Sequence, residues 1–297
     1  MLAPMTQPQT HLIRGPVGDL AVHDWGGEGP PTLLAHPTGF HGRVWAPVAE
    51  RLVAAGRRVW SFDFRGHGDS FSPKPSEPFD PKTEPYAWSG FAQDALEVVN
   101  HLGLAGDPTL IACGHSKGAA ALLLGEADRP ATYLRIWAFE PIVFPTEAAN
   151  VTADDFPLAG NASKRRNEWS SIDEAYDAYA SKRPLNVMTP ESLRAYVEYG
   201  LRDRGDSVFE LKCAPEVEAR VYGMAPSGGA WGVLPNVEST VQVACGEVSR
   251  DIAPKLAQRI AERLPHGTLE VWPDCGHFGP QQDPDKCATS ILDFAKA

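Results

Sequence analysis

The pentapeptide Gly114-His115-Ser116-Lys117-Gly118 sets one serine between two glycines. The run before it, Thr109 to Cys113 (TLIAC), is short, apolar and strand-like; the run after it, Lys117 to Leu124, is rich in small residues and helix-like. A serine at the tip of such a strand-turn-helix is held in a strained turn with its hydroxyl outward, and the flanking glycines remove clashes that a Cβ would cause. A hydroxyl is a weak nucleophile until a base takes its proton, after which it can attack a carbonyl carbon and form an acyl-enzyme. The same pentapeptide also occurs as a plain structural turn, so its surroundings decide. The chain has 9 histidines. Of these, only His277, in Pro273-Asp274-Cys275-Gly276-His277-Phe278, combines a late position, the end of a predicted strand and a Gly-His pair. An imidazole titrates near working pH, which suits it to take the serine proton and return it to a leaving group.

The elements that must hold these residues alternate. Predicted strands at Thr32 to His36, Arg58 to Phe64, Thr109 to Cys113, Leu134 to Phe139, Thr240 to Cys245 and Thr268 to Trp272 are separated by helical patterns at Arg43 to Ala54, Tyr86 to Leu104, Lys117 to Leu124 and Ala253 to Leu264. A last helix is predicted near Asp285 to Ala297. Alternation of this kind implies an α/β fold with a mostly parallel, doubly wound sheet. Such sheets bind ligands beyond the carboxyl ends of their strands, where all the motifs fall. The rhythm stops over residues 141–236, a stretch rich in Arg, Glu, Tyr and Trp. Helices are predicted there at Ile172 to Lys182, Pro190 to Arg202 and Pro215 to Tyr222; Ser171 with Glu174 forms a capping box, and Thr189 with Pro190 an N-cap followed by proline. The expectation is a core built from residues 1–140 and 237–297, with a helical cap over 141–236.

With these motifs the chain resembles the α/β-hydrolase superfamily along nearly its whole length. His36-Pro37-Thr38-Gly39-Phe40-His41-Gly42 resembles the family's oxyanion loop, and the resemblance implies that the backbone N–H groups of Thr38 and Lys117 stabilise an oxyanion; Pro37 has no N–H to give. Asp63-Phe64-Arg65-Gly66-His67-Gly68-Asp69-Ser70 resembles the family's D-x-R-G-x-G-x-S block and is read as structural, a glycine-rich turn braced by an arginine and a carboxylate. The segment ending in His277 resembles the catalytic-histidine loop. His115, next to the nucleophile in sequence, is expected to point away from it.

The triad's acid departs from the common pattern. Most members carry Asp after the family's seventh strand, and Ser249 occupies that position here, within Gly246-Glu247-Val248-Ser249-Arg250-Asp251. Glu140, which ends the strand before the cap, lies 140 − 116 = 24 residues after Ser116. This arrangement resembles a subgroup with its acid after the sixth strand, including some haloalkane dehalogenases and some fungal-toxin lactonases. Glu140 is ranked above Glu247 and Asp251, which stay open, as does a purely structural carboxylate.

Serine at the turn disfavours dehalogenase and epoxide-hydrolase chemistry, which needs a carboxylate there. The expected function is cofactor-free hydrolysis of an ester or lactone through an acyl-enzyme. The aromatic cap points to a compact, largely apolar small molecule. C–C bond hydrolysis, amidase or perhydrolase/haloperoxidase chemistry on the same triad remain alternatives, as does a non-catalytic small-ligand receptor. No metal-ligand spacing is present. The formal net charge of −11 argues against nucleic-acid and membrane partners. Five scattered cysteines fit a reducing compartment, and the absence of a signal-like N-terminus suggests a cytoplasmic protein. A monomer or a homodimer fits equally.

Overall fold

The computed structural model describes residues 7–78, 80, 83–145, 157–225, 228–249 and 254–296. Its elements run β1 (Gln9–Arg14), β2 (Asp19–Gly26), β3 (Pro31–Ala35), α1 (Ala46–Ala54), β4 (Arg58–Phe62), α2 (Trp88–His101), β5 (Ile111–His115), α3 (Lys117–Asp128) and β6 (Arg135–Phe139). Between β6 and the next core strand come α4 (Pro157–Ala162), β7 (Glu168–Trp169), α5 (Ile172–Ala180), α6 (Pro190–Gly200), β8 (Leu201–Asp203), β9 (Phe209–Leu211), α7 (Pro215–Gly223) and α8 (Ala230–Val233). The chain then continues through β10 (Thr240–Gly246), α9 (Pro254–Arg263), β11 (Gly267–Trp272), α10 (Gly279–Gln282) and α11 (Pro284–Lys296).

Eight strands form one sheet in the order β1-β2-β4-β3-β5-β6-β10-β11. The pairs from β4 to β11 are parallel, while β1 and β2 are antiparallel additions at one edge. All five residues of β3 and of β5 are buried, as expected of strands covered on both faces, whose sequences read as continuous apolar runs rather than alternating ones. One apolar cluster packs α2, α3 and α9 against the sheet; the other packs α1 and α11 around Trp137, Phe139 and Trp272.

The structure adds what the sequence pattern did not. Five of the six residues of β1 are exposed, so this edge strand carries no hydrophobic signal. Within residues 141–236 the predicted helices are present, but β7, β9 and β8 also form a small antiparallel sheet. The N-cap readings agree with the geometry: Ser171 accepts from the Glu174 amide and Thr189 from the Ser192 amide.

The Asp63 to Ser70 block braces the loops at the carboxyl end of the sheet. Asp63 accepts from the amides of Gly42 (2.6 Å) and Asp69 (2.7 Å). Arg65, buried, grips Asp94 of α2 through Nε (2.9 Å) and Nη2 (2.6 Å), and its Nη1 and Nη2 donate to the carbonyls of Pro85 and Gly90. A buried ion pair adds little net stability, but removing one partner strands the other charge. Asp94→Ala is therefore expected to cost about 3–5 kcal/mol, read as a lower urea midpoint with unchanged slope; a loss below about 1 kcal/mol would mean that Arg65 finds other compensation.

Candidate active site

Ser116 and Glu140 lie one residue beyond the ends of β5 and β6, while Thr38 and His277 lie in the loops that follow β3 and β11, and the register brings these strand ends together. Ala35 pairs with Gly114, His115 with Phe139, Phe139 with Ala244 and Gly246 with Trp272. The ladder continues past the strands: the Ser116 amide donates to Phe139 O (2.8 Å) and the Glu140 amide to Ala244 O (2.8 Å).

Ser116 has φ 56° and ψ −119°, a left-handed region in which a non-glycine residue is strained by roughly 1–3 kcal/mol. The two glycines of the pentapeptide make this turn possible by close packing. A Cβ at Gly114 would lie 2.5 Å from Ala119 Cα, and one at Gly118 would lie 2.4 Å from Ala35 O. Lys117 begins α3, so its amide is one of the N–H groups that a helix leaves without an internal partner.

His277 Nδ1 lies 2.6 Å from Glu140 Oε2. Glu140 is fully buried, and its backbone is also left-handed at φ 43°. Two further donors reach the carboxylate: the Gly246 amide to Oε1 (3.0 Å) and the Ser249 hydroxyl to Oε2 (2.7 Å). Ser249, standing where most members of the family would carry the acid, thus donates to Glu140. The Glu247 side chain is exposed, and Asp251 lies outside the described residues. Because the carboxylate accepts from Nδ1–H, the hydrogen of this tautomer sits on Nδ1 and Nε2 is the nitrogen that carries the lone pair.

Thr38 is buried in the loop after β3. The geometry of its peptide is set by His36. The Phe64 amide donates to His36 Nε2 (3.1 Å), so Nδ1 carries the hydrogen and donates to Pro37 O (2.7 Å). Burial keeps His36 well below the ordinary imidazole range, in the neutral form that this pattern requires. In a trans peptide the carbonyl and the next N–H point in opposite directions, so drawing Pro37 O towards His36 turns the Thr38 N–H the other way. No motif in the chain marks His36 for this role.

His115 is buried, and its ring lies 4.9 Å from that of His277, centre to centre. Burial, followed by the neighbouring His277, lowers its pKa well below the usual range, so it stays neutral and packs against the other imidazole. His67 is also buried, with Nδ1 2.9 Å from Arg65 O.

A cavity of about 560 Å³ adjoins these loops. Phe40, from the loop that holds Thr38, and Phe278, next to His277, form part of its wall, 5.8 Å apart between ring centres. Trp169, Tyr179 and Tyr196 line it from the segment between β6 and β10. Sequence reasoning missed one feature of this cavity, the half-buried Arg165, which donates to Glu218 (2.5 Å), Tyr179 Oη (3.0 Å) and Tyr196 Oη (2.6 Å). No pattern in the chain joins residues so far apart.

The family assignment follows from the match of residues 32–290 to the model of the alpha/beta hydrolase family. The chain belongs to that family. It is 24% identical over 281 residues to the pimeloyl-[acyl-carrier protein] methyl ester esterase of Nitrosospira multiformis, covering 91% of this chain and 96% of the esterase. Its identity to lipase LipV of Mycobacterium tuberculosis is also 24%, over 285 residues, covering 92% of this chain and 96% of the lipase. In fold it is similar to E-2-(acetamidomethylene)succinate hydrolase, with a TM-score of 0.79, 20% identity and coverage of 98% of this chain and 100% of that one. Among the described residues no helix is long and apolar enough to cross a membrane.

Lys117 carries a further consequence of this packing. Its ammonium is fully buried, without a hydrogen-bond partner among the described residues, between the rings of Phe64 (3.9 Å) and Phe91 (4.3 Å). Burial pushes its pKa down to about 7, while the two ring faces favour the charged form. The unfolded amine holds its proton up to about 10.4. Between those values the unfolded chain binds a proton that the folded chain does not, so this group makes stability rise with pH from about 7 upward. Lys117→Met is expected to raise stability at pH 7 and to flatten that rise. Urea midpoints of both proteins at pH 7 and pH 9.5 check it; parallel slopes would show that the amine stays charged in the folded state.

Proposed function

We propose that this hydrolase cleaves an ester or lactone through an acyl-enzyme on Ser116. The observation that carries the reading is the 2.6 Å contact between His277 Nδ1 and the buried Glu140 carboxylate, at the strand ends flanking a serine in a strained turn. In the proposed reaction the Ser116 oxygen attacks the carbonyl carbon while His277 Nε2 takes its proton. Glu140 holds the imidazole tautomer and stabilises the imidazolium as it forms. The carbonyl oxygen, now negative, lies between the N–H groups of Thr38 and Lys117, each worth roughly 3 kcal/mol to the transition state. His277 then gives the proton to the leaving oxygen, and water repeats the cycle on the acyl-enzyme.

The segment between β6 and β10 acts as a cap in this reading. It supplies aromatic walls to a cavity completed by Phe40 and Phe278, so the substrate's non-reacting part rests on the cap while its carbonyl sits at the sheet edge. The esterase and lipase names of the relatives support the reaction class.

Ser116→Ala is expected to abolish turnover of nitrophenyl esters and labelling by a fluorophosphonate, with an unchanged circular dichroism spectrum. Near-native turnover in the folded variant would assign the nucleophile elsewhere. Glu140→Gln leaves the shape intact but cannot hold the imidazole tautomer. It is expected to lower kcat by roughly 10³–10⁴, whereas Glu247→Gln should retain most activity. If Glu140→Gln kept more than about a tenth of kcat, a loss of only ~1.4 kcal/mol, the orienting carboxylate would have to be another.

A further inference from the structure

The chain carries 38 acidic and 27 basic residues, yet its large cavity reverses that balance. Arg165, Arg166, Lys182 and Arg183 line it against a single lining carboxylate, Glu218. Two of the cations are already engaged. Arg166 pairs with Glu174 (2.6 Å) and lies over the Trp169 ring. Arg165 is held on three sides by Glu218, Tyr179 and Tyr196 through Nη1 and Nη2, and among the described residues its Nε–H has no acceptor. These neighbours hold the guanidinium well above its ordinary pKa although burial acts in the opposite sense. Lys182 and Arg183 are exposed and make no ion pair among the described residues.

Basic residues on a surface are ordinarily solvated and paired with nearby acids. With Arg165 paired to Glu218 and Arg166 to Glu174, Lys182 and Arg183 supply the excess positive charge at this cavity, a local field that draws in anions and acts little on a neutral molecule. The field is also tied to the chemistry. Glu218, which fixes Arg165, lies so close to Gly39 that a Cβ there would be 2.4 Å from its Oε1, and Gly39 follows Thr38. Tyr196, the second anchor of Arg165, packs its ring 4.7 Å from that of Phe40.

From this juxtaposition we infer that the cavity takes substrates bearing a carboxylate on the part remote from the scissile carbonyl, such as a monoester of a dicarboxylic acid, with Lys182 and Arg183 attracting the anion and Arg165 receiving it. The inference rests on the acyl-transfer reading above and names its substrate class. The aromatic walls take the hydrocarbon between the two ends.

The test compares kcat/KM for 4-nitrophenyl hydrogen adipate and for 4-nitrophenyl hexanoate, which match in chain length and differ in charge. The native enzyme should prefer the adipate monoester by about tenfold or more at low salt, and the preference should shrink as salt screens the field. Lys182→Glu with Arg183→Glu should lower the adipate-to-hexanoate ratio by about tenfold or more, whereas Lys182→Arg with Arg183→Lys should keep it. A ratio at or below one in the native enzyme, or a ratio unmoved by charge reversal, overturns the inference. Calorimetry on Ser116→Ala separates the two readings. Adipate binding tighter than adipamide, with neither ester turned over by the native enzyme, would uphold the anion site and remove acyl transfer. Turnover of both esters without preference, and equal binding of adipate and adipamide, would do the reverse.

Discussion

A carboxylate with no exposure to water must be surrounded by donors, and the site depends on how Glu140 meets that requirement. Taking a charged group out of water costs several kcal/mol unless partners replace the hydration. Glu140 receives an amide from the end of β10, a hydroxyl from the turn that follows and the imidazole from the loop after β11. Three separate strand ends therefore have to converge on one side chain. The approach is close: a Cβ on Gly246 would lie 2.2 Å from Cys275 O. Any register slip in β6, β10 or β11 would leave the carboxylate buried and short of donors, so the requirement that fixes His277 also fixes this half of the sheet.

Ser116 and Glu140, each one residue past the end of the neighbouring strands β5 and β6, both have left-handed backbones. Strain of this kind persists only where the surroundings over-determine it. Here the surroundings are strands buried along their whole length and helix α3, set against β5 and the end of β3 at distances that exclude a Cβ at Gly114 or Gly118. Ser116 and Glu140 are thus held by the rigid part of the fold, while His277 comes from a loop.

What could be read from the sequence was what repeats locally. The alternation of apolar runs and helical patterns marks the parallel strands, because a strand covered on both faces is apolar throughout. Ser116 and His277 stand out because the residues on either side signal a strand end. Glu140 stands out because Ser249 leaves the usual place without a carboxylate. The remainder depends on contacts between distant segments. β1 exposes most of its side chains and shows no apolar period. The small sheet of β7, β8 and β9 has strands of two or three residues, too short to carry a period. Ser249 was legible as a missing acid, but its role as donor to Glu140 depends on residues 109 positions apart. The clamp on Arg165 joins α5, α6 and α7, and no spacing rule predicts it.

Helix α6 links the cavity to the loops around Ser116 and His277. At its start the Thr189 amide donates to Gln281 O in α10 (2.9 Å), just beyond the His277 loop. Further along, Tyr196 O lies 3.1 Å from His41 Nε2 in the loop that carries Thr38. Burial lowers the His41 pKa to about 4, so that ring is neutral near pH 7, and Nε2–H is the donor to this carbonyl. On the outer side Arg51 of α1 bridges Glu191 of α6 and Asp285 of α11. One helix is therefore bonded to the loops on both sides of Ser116, and its Tyr196 also packs on Phe40 and anchors Arg165. A shift of α6 would move the cavity wall, the Thr38 loop and the approach to His277 together. In the proposed reaction, substrate selection and transition-state geometry would thus be set by the same element, and a change in the shape of the cavity would act on the chemistry through Tyr196 as directly as on binding.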